Sequence, residues 1–225
     1  MHVFRVGQRC LNIDARSDEG VLKMKRWMTV LGLIAFLGFG LSARAAPDQG
    51  PGEVVKAFVS GIIDVLEHRE DKTRLTDQDR ERIRQIVNGR FDYAAMAGRS
   101  LGRTWKTLDE EERKRFSDLF RQLLEWSYGN RLNEYKGQRV EYRKVQFKGK
   151  RARVLTIVSD GAKNTPVEYR LHQTAHGWMV YDIRIEGASL VRTFYQEFQS
   201  QLEHGTYQQL VQALQRKIAK LKERG

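Results

Sequence analysis

Cysteine is almost absent from this chain of 225 residues: the only one is Cys10, and none occurs from residue 46 onward. Small exported domains often depend on disulfides, and thiolates serve as nucleophiles and metal ligands. The sequence after residue 45 therefore excludes a disulfide framework, cysteine catalysis and cysteine-ligated metals. A domain formed there must be held together by its hydrophobic core.

A long apolar run is also missing. The longest apolar stretch, residues 27–41, has fifteen residues, whereas a membrane-spanning helix needs about 20. It follows a basic pair at 25–26 and precedes an Ala-Arg-Ala sequence at 43–45. This order is typical of a secretory signal peptide. We therefore expect residues 24–45 to be a signal peptide that is cleaved after Ala45.

The segment before this signal is polar and has no periodicity. We expect Met24 to be the true start of the protein and residues 1–23 to be an upstream extension from a misassigned start codon. Residues 46–225 then form one exported domain, with 33 basic and 25 acidic side chains and a net charge of +8. Such a charge favours anionic partners, namely phospholipid headgroups or acidic proteins. An exported protein rarely meets nucleic acid, so we expect no nucleic-acid partner.

Motifs for catalysis are weak in this sequence. Residues 98–102 match Gly-x-Ser-x-Gly, but that motif needs a strand before it and a helix after it, and here a helical pattern precedes it. We interpret it as the end of a helix. His172 and His176 flank a predicted hairpin turn, where two imidazole rings do not converge on one metal. No phosphate-binding glycine loop occurs.

Two carboxylates, Asp182 and Glu186, end an otherwise apolar segment. They can cap the strand end or form salt bridges there, which we favour, or act as an acid–base pair in a cavity with a nearby tyrosine. On the favoured interpretation the protein is not an enzyme, has no catalytic residue and needs no cofactor or metal.

Apolar periodicity predicts an α+β fold. A 3.6-residue period indicates helices over 53–66, 76–87, 91–101, 190–202 and 207–221. A further long helix is predicted to begin at a capping box formed by Thr107 and Glu110 and to run as far as 137. Alternating patterns over 140–147, 152–159, 167–173 and 178–185 indicate strands joined by short links. The sequence therefore predicts a four-stranded antiparallel meander with several helices packed against one face.

Four segments together resemble the MlaC (toluene-tolerance auxiliary) family. They are Phe-Asp-Tyr-Ala-Ala-Met-Ala at 91–97, Leu-Gly-Arg-Thr-Trp at 101–105, Phe-Ser-Asp-Leu-Phe-Arg-Gln-Leu-Leu at 116–124, and the most specific one, Gly-Trp-Met-Val-Tyr-Asp-Ile-Arg-Ile-Glu-Gly-Ala-Ser-Leu-Val at 177–191. Their order and spacing agree with the family over residues 53–220.

The resemblance implies an NTF2-like fold with an internal apolar pocket that holds the acyl tails of a phospholipid. It implies a monomeric periplasmic shuttle between an outer-membrane lipoprotein–porin complex and an inner-membrane ABC transporter with MCE domains. Related proteins occur in hopanoid operons, so the cargo could instead be a hopanoid or another polycyclic lipid. Two rival hypotheses stay open from the sequence, an NTF2-like enzyme and an adaptor protein whose core is filled with side chains.

If the pocket lies between the sheet and the helices, its wall is expected to consist of apolar residues from both. The predicted lining is Phe91, Met96, Leu101, Trp105, Phe116, Leu119, Phe120, Leu123, Tyr142, Val154, Val167, Tyr169, Val180, Tyr181, Ile183, Leu190, Phe194 and Phe198. Periodicity alone does not distinguish such a pocket from an ordinary filled core.

Overall fold

Six α-helices and five β-strands make up residues 49–223, the part of the chain that the structure, a computed structural model, describes. In chain order they are α1 (Pro51–His68), α2 (Asp77–Val87), α3 (Tyr93–Leu101), a 3-10 helix (Thr104–Lys106), α4 (Glu110–Gly129), a second 3-10 helix (Asn130–Glu134), β1 (Arg139–Lys148), β2 (Arg151–Ser159), β3 (Asn164–Thr174), β4 (Gly177–Ile185), β5 (Ala188–Ser189), α5 (Leu190–Glu203) and α6 (Tyr207–Glu223). The predicted extension and signal peptide lie outside these residues. Within 49–223, no helix combines the length and apolar character that a membrane span requires.

The start of α4 differs from the prediction. Its capping box is formed by Asp109, whose side chain accepts from the backbone N–H of Glu112, and by Glu112, which accepts from the backbone N–H of Asp109. The predicted box at Thr107 and Glu110 is wrong, because Thr107 caps the end of the preceding 3-10 helix, where its hydroxyl donates to the carbonyl of Thr104 at 2.9 Å. The helix also ends earlier than predicted, since its last turn tightens into the second 3-10 helix.

The strands form one antiparallel sheet in the order β1-β2-β3-β4-β5. The four predicted strands are confirmed, but the sheet has five strands and not four. The fifth is only two residues long and pairs with the end of β4 through a turn in which Glu186 and Gly187 both have positive φ. Two residues are too short to produce a periodic pattern, which explains why it was missed.

One face of the sheet packs against α1. Buried side chains alternate along β2, where Ala152, Val154 and Thr156 point inward. Between Val180 and Asp182, β4 shifts register against β3. This irregularity lets Val180 and Ile183, three residues apart, both join the core with α1.

A second core lies among the helices. It contains buried residues of α3, α4, α5 and α6, and its centre is a set of phenylalanine rings. The ring centroids of Phe120 and Phe194 are 5.2 Å apart, and those of Phe116 and Phe198 are 5.9 Å apart. The α+β class with an antiparallel sheet and packed helices is therefore confirmed, although only part of the helical layer lies directly on the sheet.

Candidate functional site

An apolar cavity of about 440 Å³ lies between the inner face of the sheet and helices α1, α2 and α4. Most of its wall consists of aliphatic and aromatic side chains. They are Phe58, Val59, Ile62, Ile63, Leu66, Leu75, Ile83, Val87, Phe91, Tyr93, Met96, Leu124, Trp126, Tyr128, Leu132, Tyr135, Val140, Val158, Val167, Tyr169, Ile183, Ile185 and Leu190, joined by Gly129, Gln138, Arg80, Arg84, Glu125 and Arg131.

Helix α1 serves two purposes along its length. Near its start, Val54 and Val55 are buried in the core with the sheet. Further along, Ile62 and Ile63 are only half-buried and line the cavity. The spacing of four residues between Phe58 and Ile62 keeps both on the same face of the helix. The apolar face of α1 thus continues from packed core to cavity wall without a break in pattern.

Helix α2 covers the cavity from the side. Its only apolar residues are Ile83, Ile86 and Val87, and two of them line the cavity. It crosses α1 closely at Gly61, where an added Cβ would lie 3.2 Å from the side chain of Ile86. An alanine there would require the Ile86 side chain to shift by a few tenths of an ångström.

Two half-buried tyrosines line the cavity, Tyr169 on β3 and Tyr93 at the start of α3. Burial raises the pKa of Tyr169, whose hydroxyl also forms a hydrogen bond with Thr156. Burial, together with the charge of Glu125, raises the pKa of Tyr93, whose ring stacks on Phe91 at 5.9 Å. Both hydroxyls therefore stay protonated at neutral pH, and neither adds a charge to the wall.

Charged groups are confined to the part of the wall formed by α2 and the end of α4. Arg84 Nε lies 3.4 Å from a carboxylate oxygen of Glu125, and Arg121 Nη1 lies 2.7 Å from the other oxygen. Arg80 donates to the side-chain oxygen of Asn130 at 3.0 Å. Arg131 is exposed and also lines the cavity. We refer to Arg80, Arg84, Glu125 and Arg131 as the charged rim.

The structure brings six of the eighteen predicted lining residues together on this cavity. They are Phe91, Met96, Val167, Tyr169, Ile183 and Leu190. They come from the residues just before α3 and the middle of α3, from β3 and β4, and from the start of α5, so the fold gathers them from distant parts of the sequence.

The other twelve predicted residues do not line this cavity. Leu101, Trp105, Phe116, Leu119, Phe120, Leu123, Phe194 and Phe198 belong to the helical core, and Val154 and Val180 belong to the core under α1. Tyr142 is exposed on the edge strand, and the ring of Tyr181 contacts His172 at 5.3 Å and lies under Arg99 at 4.3 Å. Apolar residues recur along a helix with the same period whether their face packs against other side chains or lines a cavity. The sequence pattern therefore predicts the buried helical residues as cavity lining along with the true ones.

Sequence reasoning missed the contribution of α1, α2 and the end of α4. A signal was present in α1: eight of the fourteen residues from 53 to 66 are Val, Ile, Leu or Phe. That face is broader than the stripe needed to pack on one neighbouring element. An apolar face of this width indicates contact on more than one side, here with the sheet and with the cavity.

The motifs considered as catalytic have structural roles. Ser100 is fully buried and donates to the carbonyl of Val191 at 3.4 Å, so its hydroxyl is not accessible. Gly102 ends α3 with φ of +65°, as a helix end requires, and an added Cβ would lie 2.7 Å from the ring of Tyr195. His172 lies in β3, with Nε2 2.8 Å from Asp92, and His176 lies in the following turn. Residues 49–223 contain no cluster of potential metal ligands.

Asp182 anchors the beginning of α5. Its carboxylate accepts from the hydroxyl of Ser189 at 2.8 Å and from the backbone N–H of Val191 at 3.2 Å, and it is 5% exposed. The predicted capping role is therefore confirmed. Glu186 forms an exposed ion pair with Lys163 at 2.7 Å.

We expect Asp182→Ala to lower the free energy of unfolding by about 1–3 kcal/mol, because it leaves a buried hydroxyl and a backbone N–H without their acceptor. Urea denaturation measures this. Glu186→Asn is the matched control: asparagine tolerates the positive φ, and losing one exposed ion pair should change stability by less than about 1 kcal/mol. Equal effects of the two substitutions would contradict the anchoring role of Asp182.

The fold and the cavity define an α+β protein with a preformed apolar pocket between a sheet and its helices. The family model of the MlaC protein matches residues 56–216. The chain belongs to the MlaC family, because this match spans well over half of its length.

The chain is also similar to two known proteins. The chain is 22% identical over 185 residues to the intermembrane phospholipid transport system binding protein MlaC of Haemophilus influenzae, covering 76% of this chain and 83% of that protein. A solved structure of a phospholipid-binding protein from Ralstonia solanacearum, in complex with a phospholipid, matches with a TM-score of 0.70 at 24% identity, covering 76% of this chain and 98% of the other. At this identity the second match establishes the fold.

Proposed function

We propose that this protein binds a phospholipid through its acyl chains in the cavity and carries it across the periplasm. The observation that carries the proposal is the distribution of polarity in the cavity: an aliphatic and aromatic wall whose charged residues come from α2, the end of α4 and the following 3-10 helix. A phospholipid has the same division between apolar tails and a charged headgroup. The cavity volume of about 440 Å³ falls within the usual range for ligand pockets, about 300–1,000 Å³.

The binding needs no covalent step. Each methylene moved from water into an apolar site contributes about 0.8 kcal/mol, so ten buried methylenes contribute about 8 kcal/mol before the entropy cost of association. Such a complex is stable in water yet reversible when the lipid is offered another apolar environment. Reversibility is the property that a carrier between two membranes requires.

Family membership supports the cellular part of the proposal. The Haemophilus relative is named as the binding protein of an intermembrane phospholipid transport system. On this basis we propose that the protein is an exported monomer. Residues 1–23 would be an upstream extension, residues 24–45 a signal peptide and residues 46–225 a lipid-binding domain. Its partners would be an outer-membrane lipoprotein–porin complex and an inner-membrane ABC transporter with MCE domains. An NTF2-like enzyme is disfavoured, since the carboxylate of Asp182 is engaged by α5.

The test is the lipid content of the protein. Residues 46–225, purified from the periplasm of a Gram-negative host, are extracted with organic solvent, and the extract is analysed by mass spectrometry. We expect phospholipid in a stoichiometric amount. A hopanoid would keep the carrier function and change the cargo, whereas a stable protein without lipid would refute the proposal.

A further inference from the structure

The charged rim carries more positive than negative charge. Three of its four members are arginines, two on α2 and one in the second 3-10 helix, and among residues 49–223 Glu125 is the only carboxylate that lines the cavity. Glu125 is 18% exposed at its side chain and contacts both Arg84 and Arg121. Its charge is thus already balanced by these two arginines, and Arg80 and Arg131 add further positive charge to the cavity lining.

Arg131 is the member of the rim that is best placed to meet an anion. Its guanidinium lies 5.7 Å from the ring centre of Tyr128. Among residues 49–223, no carboxylate lies within ion-pair distance of it. It follows the end of α4 directly, where the partial negative charge of the helix terminus stabilises a cation.

Arg80 is held beside this position. Asn130, the chain neighbour of Arg131, accepts a hydrogen bond from Arg80, and the guanidinium of Arg80 lies over the ring of Trp126 at 4.5 Å. The contacts of Arg80 therefore fix it at the same end of α4 as Arg131. Guanidinium groups bind phosphate oxygens through charge-assisted, often bidentate hydrogen bonds, so two arginines in this part of the lining favour a phosphate ligand.

We propose that Arg131, assisted by Arg80, binds the phosphate group of the lipid whose acyl chains occupy the cavity, and that this contact makes the protein prefer phosphate-bearing lipids over uncharged diacylglycerol. The inference rests on the proposed function, since it assigns the headgroup end of the same site. It also fixes the orientation of the ligand, with the headgroup at α2 and the end of α4 and the tails toward the sheet.

The experiment compares two lipids with identical acyl chains, phosphatidylglycerol and diacylglycerol, for binding to the delipidated full domain. We expect the unaltered protein to bind phosphatidylglycerol more tightly, and Arg131→Ala to weaken that binding about tenfold, as the loss of a charge-assisted hydrogen bond predicts. Binding of diacylglycerol should not change. Arg216→Ala, on the exposed face of α6, is the matched control and should affect neither lipid.

Three outcomes would contradict the phosphate subsite or the proposed function, and they are distinguishable. If Arg131→Ala binds both lipids as the unaltered protein does, the phosphate subsite is refuted and the carrier function stands. If the unaltered protein binds neither lipid, the proposed function itself fails. If millimolar inorganic phosphate alone raises the melting temperature through Arg131 while lipid preference is unaffected, the site binds free phosphate and the assignment to a headgroup is refuted.

Discussion

Replacing Ile62 with tryptophan is expected to weaken phospholipid binding about 50-fold while leaving the protein folded. The side chain lies on α1, is half-buried and faces the cavity. If the indole excludes about three methylenes of the bound chain, the binding free energy falls by about 2.4 kcal/mol, which corresponds to the stated change in Kd. Displacement of a fluorescent lipid measures the affinity, and a thermal melt without lipid measures the fold.

The melting temperature separates a cavity from a filled core. Adding volume to a packed core costs about 1–3 kcal/mol, whereas a side chain that extends into empty space costs little. Ala57→Trp is the control, because Ala57 is on the same helix and is exposed. A sharply lowered melting temperature for Ile62→Trp, with unchanged lipid affinity, would show that the space around Ile62 is not the binding pocket.

Phe120→Ala is expected to destabilise the protein by about 3–5 kcal/mol, the usual cost of removing a buried phenylalanine. The ring is fully buried and lies 5.2 Å from Phe194 and 6.2 Å from Phe198 between ring centres. Because Phe120 belongs to the helical core and not to the cavity wall, the loss should appear in the free energy of unfolding from urea denaturation. The chain lengths of the bound lipid should stay the same.

Phe147→Ala is the matched substitution on the surface. That ring is 63% exposed and keeps one edge contact, with Trp178 at 5.9 Å. We expect a cost of about 1 kcal/mol or less, in line with an isolated aromatic pair. Similar costs for the two substitutions would mean that the phenylalanine rings of the helices are not close-packed.

The failures of prediction at the site have a common origin. Phe116, Phe120 and Leu124 on α4 follow one helical spacing and all belong to the helical core, yet only Leu124 also lines the cavity. The spacing of apolar residues shows only that one face of the helix is buried away from water. Whether that face meets close-packed side chains or a cavity depends on how near the next element comes.

The charged rim illustrates the same limit for polar residues. Arg80 and Arg131 are 51 positions apart, and nothing in their local sequence distinguishes them from other arginines on exposed faces. They lie at one end of the cavity because the side chain of Asn130, at the end of α4, holds Arg80. The capping role of Asp182 was easier to anticipate, since its partners Ser189 and Val191 follow within ten residues.

The sequence by itself determined the order of helices and strands, the antiparallel pairing and the family, because periodicity, short connections and a compact motif at 177–191 are local properties. Only the tertiary structure decided the fifth strand, the start of α4, the contribution of α1 and α2 to the cavity, and the position of the arginines. Each of these depends on distances between segments far apart in the chain. Such distances follow from how the two cores pack, and they cannot be predicted from the sequence pattern of any single segment.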